Sequence, residues 1–134
     1  MTRVKVLLLI LYVAMIFFVS TRPDLQSPGP DFELKDKIAH FVEFFVLGLL
    51  LFGSMGRTVS SSRFAAILFL FAVGASVAGL DELLQSYVPG RNMDIFDWLA
   101  DAAGVGTGVV LGAYARPKAS KRAAATAPAN RNTE

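Results

Sequence analysis

The chain has 134 residues, of which 54% are hydrophobic and 18% charged, with a net charge of +2, no cysteine and one histidine. Soluble domains carry about 25% charged residues, so this balance points to a membrane protein. Without cysteine there is no disulfide, zinc–thiolate site or Cys nucleophile, and a single histidine excludes a multi-histidine metal site within one chain.

Arg3 and Lys5 precede an apolar run from Val6 to Val19. A basic start followed by an apolar stretch also describes a signal peptide. However, Val19-Ser20-Thr21-Arg22-Pro23 offers no clean small-x-small cleavage site. The run is therefore read as a retained helix over 4–20, with Lys5 snorkelling to the interface. Thr21 to Lys35 holds Pro23, Pro28, Gly29 and Pro30 and reads as an irregular loop. The second run, 36–56, opens with Asp36, Lys37, His40 and Glu43. At helical spacing Asp36, His40, Glu43 and Leu47 share a face. Gly56 to Arg63 reads as a short polar turn. The third run, 63–88, carries Gly74, Ala78, Asp81, Glu82 and Gln85 along one stripe. After a turn at Pro89-Gly90-Arg91, the fourth run, 94–115, carries Asp94, Asp97, Asp101, Gly104 and Gly108 on one side.

Each run has about 20 residues with its ends included, enough to cross roughly 30 Å of hydrocarbon. All six prolines lie outside the four runs. The expected architecture is all-α: a four-transmembrane-helix bundle over residues 1–116, followed by a disordered basic tail over 117–134. Placing both termini in the cytoplasm puts nine lysines and arginines inside and four (Arg22, Lys35, Lys37 and Arg91) outside, in accord with the positive-inside rule. The basic tail then serves anionic lipid at the inner leaflet, not nucleic acid.

This topology brings the polar start of the second helix, the polar end of the third and the polar start of the fourth to the same, outer side. At about 1.5 Å per residue, Glu43 and Asp101 lie roughly 10 Å deeper than Asp36 and Asp94. Ionisable groups inside a membrane cost roughly 2.5–3.5 kcal/mol each on insertion scales, so a cluster of them marks the default functional site. Asp94 and Asp97 are also suited to a helix N-terminus, where acids satisfy free amides. Asp101 is two turns in, past that reach. Asp81 and Glu82 sit near a C-terminal end, where the helix dipole disfavours negative charge. They therefore call for Arg91, Lys37 or a protonated His40 nearby. Gln85 suits an interhelical hydrogen bond. His40 with Glu43 reads either as a general base tuned by a carboxylate or, joined by Glu82 and Asp101, as part of a metal site. Carboxylates favour a hard divalent cation there. Gly104, Gly108 and Gly112 allow close helix packing, within the chain or in a homodimer. Tyr87, Phe96 and Trp98 suit an outer aromatic belt. No phosphate loop, Gly-x-Ser-x-Gly elbow or His-Glu-x-x-His pattern is present.

Taken together, Asp36-Lys37-x-x-His40-Phe41, Glu82-x-x-Gln85, Gly90-Arg91 and Asp94-x-x-Asp97-x-x-x-Asp101-x-x-Gly104 resemble the VanZ-like family of small bacterial membrane proteins. The resemblance covers roughly residues 36–112. It departs from the usual pattern at Asp101, where relatives often carry Asn, and at Tyr87, which follows the glutamine by two residues instead of directly. It implies a multi-pass protein of the bacterial cytoplasmic membrane, in a family whose namesake is associated with resistance to the glycopeptide teicoplanin. Three functions follow as expectations. The first is a non-enzymatic envelope protein that binds a lipid-linked or lipidated small molecule in an acidic, outward-facing pocket, with membrane lipids as its other partners. The alternatives are a membrane hydrolase or transferase acting on an envelope lipid, and a small ion-coupled carrier.

Overall fold

The computed structural model describes residues 3–22, 34–59 and 62–115. The described residues form four helices: α1 (Arg3–Ser20), α2 (Lys35–Val59), α3 (Arg63–Gln85) and α4 (Ile95–Ala115). All four are long and apolar enough to cross a membrane. The loop expected between the first two helices and the tail after Ala115 lie outside the described residues, apart from Thr21, Arg22, Leu34 and Lys35.

Two boundaries differ from the sequence reading. Helix α2 runs on to Val59, so the expected polar turn from Gly56 is still helical, and α3 begins at an N-cap provided by Ser62. Helix α3 stops at Gln85, not at 88. Pro89 disfavours the helical conformation for the residue before it, and Ser86 turns its hydroxyl back onto the Leu83 carbonyl at 2.6 Å. A tight turn follows: the Arg91 amide bonds the Val88 carbonyl at 3.1 Å across Pro89 and Gly90. Gly90 has φ +83°. Proline followed by a positive-φ glycine is the signature of a type II turn, and it reverses the chain in four residues.

The bundle is built on α2 and α4, which pack backbone to backbone. Their glycines interleave, with the Gly48 and Gly108 helices so close that a Cβ at Gly108 would come within 3.0 Å of the Gly48 Cα and 2.9 Å of the Leu49 nitrogen. A Cβ at Gly104 would lie 2.9 Å from the Phe45 nitrogen and closer still to the Phe41 carbonyl oxygen. The expected small-residue face of α4 is thus occupied within the chain, with Gly112 set against Phe52.

Helix α3 lays its stripe of Ala66, Leu70, Gly74, Ala78, Asp81, Glu82 and Gln85 into the bundle. Val105 of α4 fills the notch at Gly74, and the Trp98 indole donates to the Ala75 carbonyl at 3.2 Å. Helix α1 is peripheral and packs on α2 and α3. It buries only Leu9, Ile16 and Ser20 and exposes most of its leucines outward, as a lipid-facing helix should. The apolar core (Ile16, Phe44, Leu47, Leu51, Leu70, Val105 and Val109) fills the centre.

Candidate functional site

The antiparallel order of the helices gathers the C-terminal ends of α1 and α3 and the N-terminal ends of α2 and α4 at one end of the bundle. Most of the chain's intramembrane polar groups meet there, in two connected layers.

The outer layer is a charged rim. Lys37, in the first turn of α2, reaches across to α4 and bonds Asp94 Oδ2 at 3.0 Å and Asp97 Oδ1 at 2.8 Å. Asp94 also caps α4: its Oδ1 accepts the Phe96 amide at 2.8 Å, and its carbonyl accepts the amides of Asp97 and Trp98. That amide bond first, and then the Lys37 ammonium, hold the Asp94 carboxyl below the usual aspartate range. The capping role expected for an acid at this place is therefore present, together with an ion pair. Asp36 lies exposed at the start of α2, outside the enclosed cluster. Tyr87 and Phe96 are exposed as an aromatic belt requires, whereas Trp98 is turned into the α3 contact.

The inner layer is enclosed. His40 Nδ1 lies 3.0 Å from Asp101 Oδ1, so α2 and α4 are joined one turn below the rim. Glu82 Oε2 accepts the Asp94 amide at 2.9 Å and so ties the end of α3 to the start of α4. Asp81 Oδ2 accepts two bonds, from the Gln85 amide and from the Ser20 hydroxyl, both at 2.9 Å. Arg91 donates to Gln85 Oε1 at 3.2 Å and is thus linked to Asp81 through the glutamine. Asp81 and Asp101 have no exposed surface and Glu82 has 2%. Glu43 is only half-buried, and the contact at that position is made by its backbone carbonyl, which accepts the Tyr12 hydroxyl at 2.9 Å.

One feature of this layer differs from the sequence reading. Helix α1 contributes through Ser20, a residue not singled out, although its spacing from Leu9 and Ile16 puts it on the buried face.

The chemistry of the inner layer follows from what is left unbonded. Asp81 Oδ1, Glu82 Oε1 and Asp101 Oδ2 are buried and have no hydrogen-bond partner. An unpartnered buried acceptor is costly, and rare enough in native structures to need an explanation. Among the described residues, one group can bring metal-ligating atoms together: His40, Glu82 and Asp101 each offer one, all within 4.8 Å of one another. Glu43, the fourth residue expected in such a set, is not part of the group.

A family model, VanZ/LLP1, matches residues 5–116. The chain belongs to this family. The match takes in α2, α3 and α4, all but the first two residues of α1, and every residue of both polar layers. The protein is an all-α, multi-pass membrane protein. No match to the chain was found among curated proteins or among solved structures.

Proposed function

We propose that this VanZ/LLP1 protein acts in the bacterial cytoplasmic membrane as a non-enzymatic binding protein of the cell envelope. Its ligand is a lipid-linked or lipidated small molecule, whose polar head enters the acidic cluster from the outer side. The single observation that carries this reading is the enclosed layer of His40, Asp81, Glu82 and Asp101, with three carboxylate oxygens left unbonded. Acceptors in that state favour an occupant that supplies positive charge or hydrogen-bond donors. An apolar groove of about 660 Å³ runs along α3 and α4 between Phe71, Leu99, Gly106 and Val110, and its Ala102 adjoins Asp101 in sequence. A chain anchored there would keep its head near the cluster.

In this reading, binding alters access of a lipidated glycopeptide such as teicoplanin to its target, as the family's association with resistance suggests. The test is expression in a susceptible bacterium. The unaltered chain should raise the inhibitory concentration of teicoplanin several-fold, and that of a non-lipidated glycopeptide less. Asp101→Asn, present in the membrane at equal level, should abolish the difference. Equal susceptibility with and without the unaltered chain would overturn the link to resistance.

The His40–Asp101 pair favours a second reading. An imidazole oriented by a buried carboxylate is the arrangement of a general base, which would suit a hydrolase or transferase acting on an envelope lipid. Turnover of envelope lipid by the purified chain, lost in His40→Gln, would favour this reading over simple binding.

A further inference from the structure

We propose that His40, Glu82 and Asp101 form a binding site for one divalent transition-metal ion, with zinc the best fit. The three residues come from three helices, α2, α3 and α4, and their ligating atoms already lie within 4.8 Å of one another. A tetrahedral zinc ion with bonds of about 2.0–2.1 Å holds its ligands about 3.3 Å apart. His40 Nδ1 and Asp101 Oδ1 already stand at 3.0 Å, and in taking an ion they would exchange the hydrogen bond between them for bonds to the metal while Glu82 closes in from within 4.8 Å.

The second, independent observation is the state of the carboxylates. Glu82 and Asp101 are almost completely buried, and each has one oxygen with no partner. The other oxygens are accounted for, by the Asp94 amide on Glu82 and by His40 on Asp101. The nearest lysine, Lys37, is held by Asp94 and Asp97 in the rim. As metal ligands, deprotonated, two carboxylates and an imidazole would together carry −2, which a divalent ion cancels.

The donor set decides the kind of ion. Magnesium and calcium take all-oxygen sites, whereas an imidazole nitrogen shifts preference to borderline ions. Three protein ligands with a fourth position open is the pattern of a zinc site that accepts water or a ligand. The surroundings supply the outer shell: the Asp94 amide fixes Glu82, and α4 is locked to α2 by the glycine contacts below. An ion there would offer its open position to an anionic head group, phosphate or carboxylate. That use of the ion rests on the ligand-binding reading above; the site itself does not.

The experiment uses the full-length chain, purified in detergent without a polyhistidine tag and stripped with EDTA. Zinc alone is titrated, and bound metal is counted by elemental analysis after dialysis. The expected result is one zinc per chain, held more tightly than magnesium. Affinity should fall at least about tenfold in Glu82→Gln and in Asp101→Asn, and stay unchanged in Asp36→Asn, whose carboxylate is exposed. Less than stoichiometric zinc overturns the proposal, as does tighter binding of magnesium, or unchanged affinity in both ligand variants.

Because substitutions in this layer can disturb the bundle, a second readout uses the unaltered chain. Cobalt should give visible absorption bands that one equivalent of zinc removes; a chain without such bands also overturns the site. The functional reading fails separately: zinc bound with no effect on teicoplanin susceptibility leaves the metal site standing and removes the proposed role.

Discussion

At the scale of single residues, the Ser20–Asp81 hydrogen bond shows how the inner layer is held. It joins residues 61 positions apart and lies wholly in the interior. Asp81 keeps one oxygen on Ser20 and Gln85 and has the other unbonded, so losing a donor leaves the charge less well satisfied. Hydrogen bonds to charged groups contribute about 1.5–3 kcal/mol in soluble proteins, while side-chain bonds within membranes average nearer 0.6. Ser20→Ala is expected to lower stability by about 1–2 kcal/mol, measured by denaturant unfolding in detergent. Thr21→Ala, whose hydroxyl is exposed and bonds only carbonyls of its own helix, should stay within about 0.5 kcal/mol. Equal effects would mean that the end of α1 is frayed and does not close the cluster. The acids of this layer were legible in the sequence because charge within an apolar run stands out. Ser20 was not, since a serine ending such a run has no local mark and its partner is fixed only by tertiary packing. The pairing of Lys37 with Asp94 was hidden for the same reason: charge counts name the available cations but not which helix each one reaches.

At the scale of the helices, the contact between α2 and α4 fixes the geometry of the site, because His40 and Asp101 stand on its two sides. The small residues Gly104 and Gly108 were visible as a four-residue repeat. Their partner Gly48 carried no such pattern, and only the fold shows the two helices notched into each other. A side chain at Gly108 would meet main-chain atoms of Phe45, Gly48 and Leu49, none of which can rotate away. Gly108→Leu should therefore separate the helices and destabilise the protein by more than about 3 kcal/mol, beyond ordinary core overpacking. Gly79→Ala is the contrast. Its Cβ would meet only the Trp98 indole nitrogen, at 3.6 Å, and alanine is the better helix former. That variant should match or slightly exceed the unaltered chain. Thermal unfolding of the two in detergent checks both expectations, and a silent Gly108→Leu would reject the close contact. The ends of α2 and α3 were less legible, since helix ends depend on local capping and turns: α2 runs on through the polar residues from Gly56 to Val59, and Ser86 with the Pro89–Gly90 turn stops α3 early, whereas the start of α3 at Arg63 is where the sequence puts it.

At the scale of the whole molecule, the four helices place the polar cluster at one end of the bundle, and the sidedness of that end decides which ligands can reach it. Its opposite end holds the start of α1 and the Ser62 cap of α3, where Arg63 lies over the Tyr114 ring at 5.6 Å. Lysine and arginine near span ends favour the cytoplasm, and on the nine-to-four division of these residues the Ser62 end is expected to face the inside. The chain has no cysteine, so a single introduced one reports its own position without background. Asn92, exposed in the turn between α3 and α4, marks the polar end, and exposed Ser62 marks the other. In intact cells a membrane-impermeant maleimide should label Asn92→Cys and leave Ser62→Cys untouched until the membrane is opened. The reverse pattern would turn the cluster toward the cytoplasm. An envelope ligand could not then reach it from outside, so the proposed role would fail, while a metal ion drawn from the cytoplasm could still occupy His40, Glu82 and Asp101. The labelling pattern therefore tests the function through the direction of access, a property that neither the buried geometry nor the glycine contacts determine.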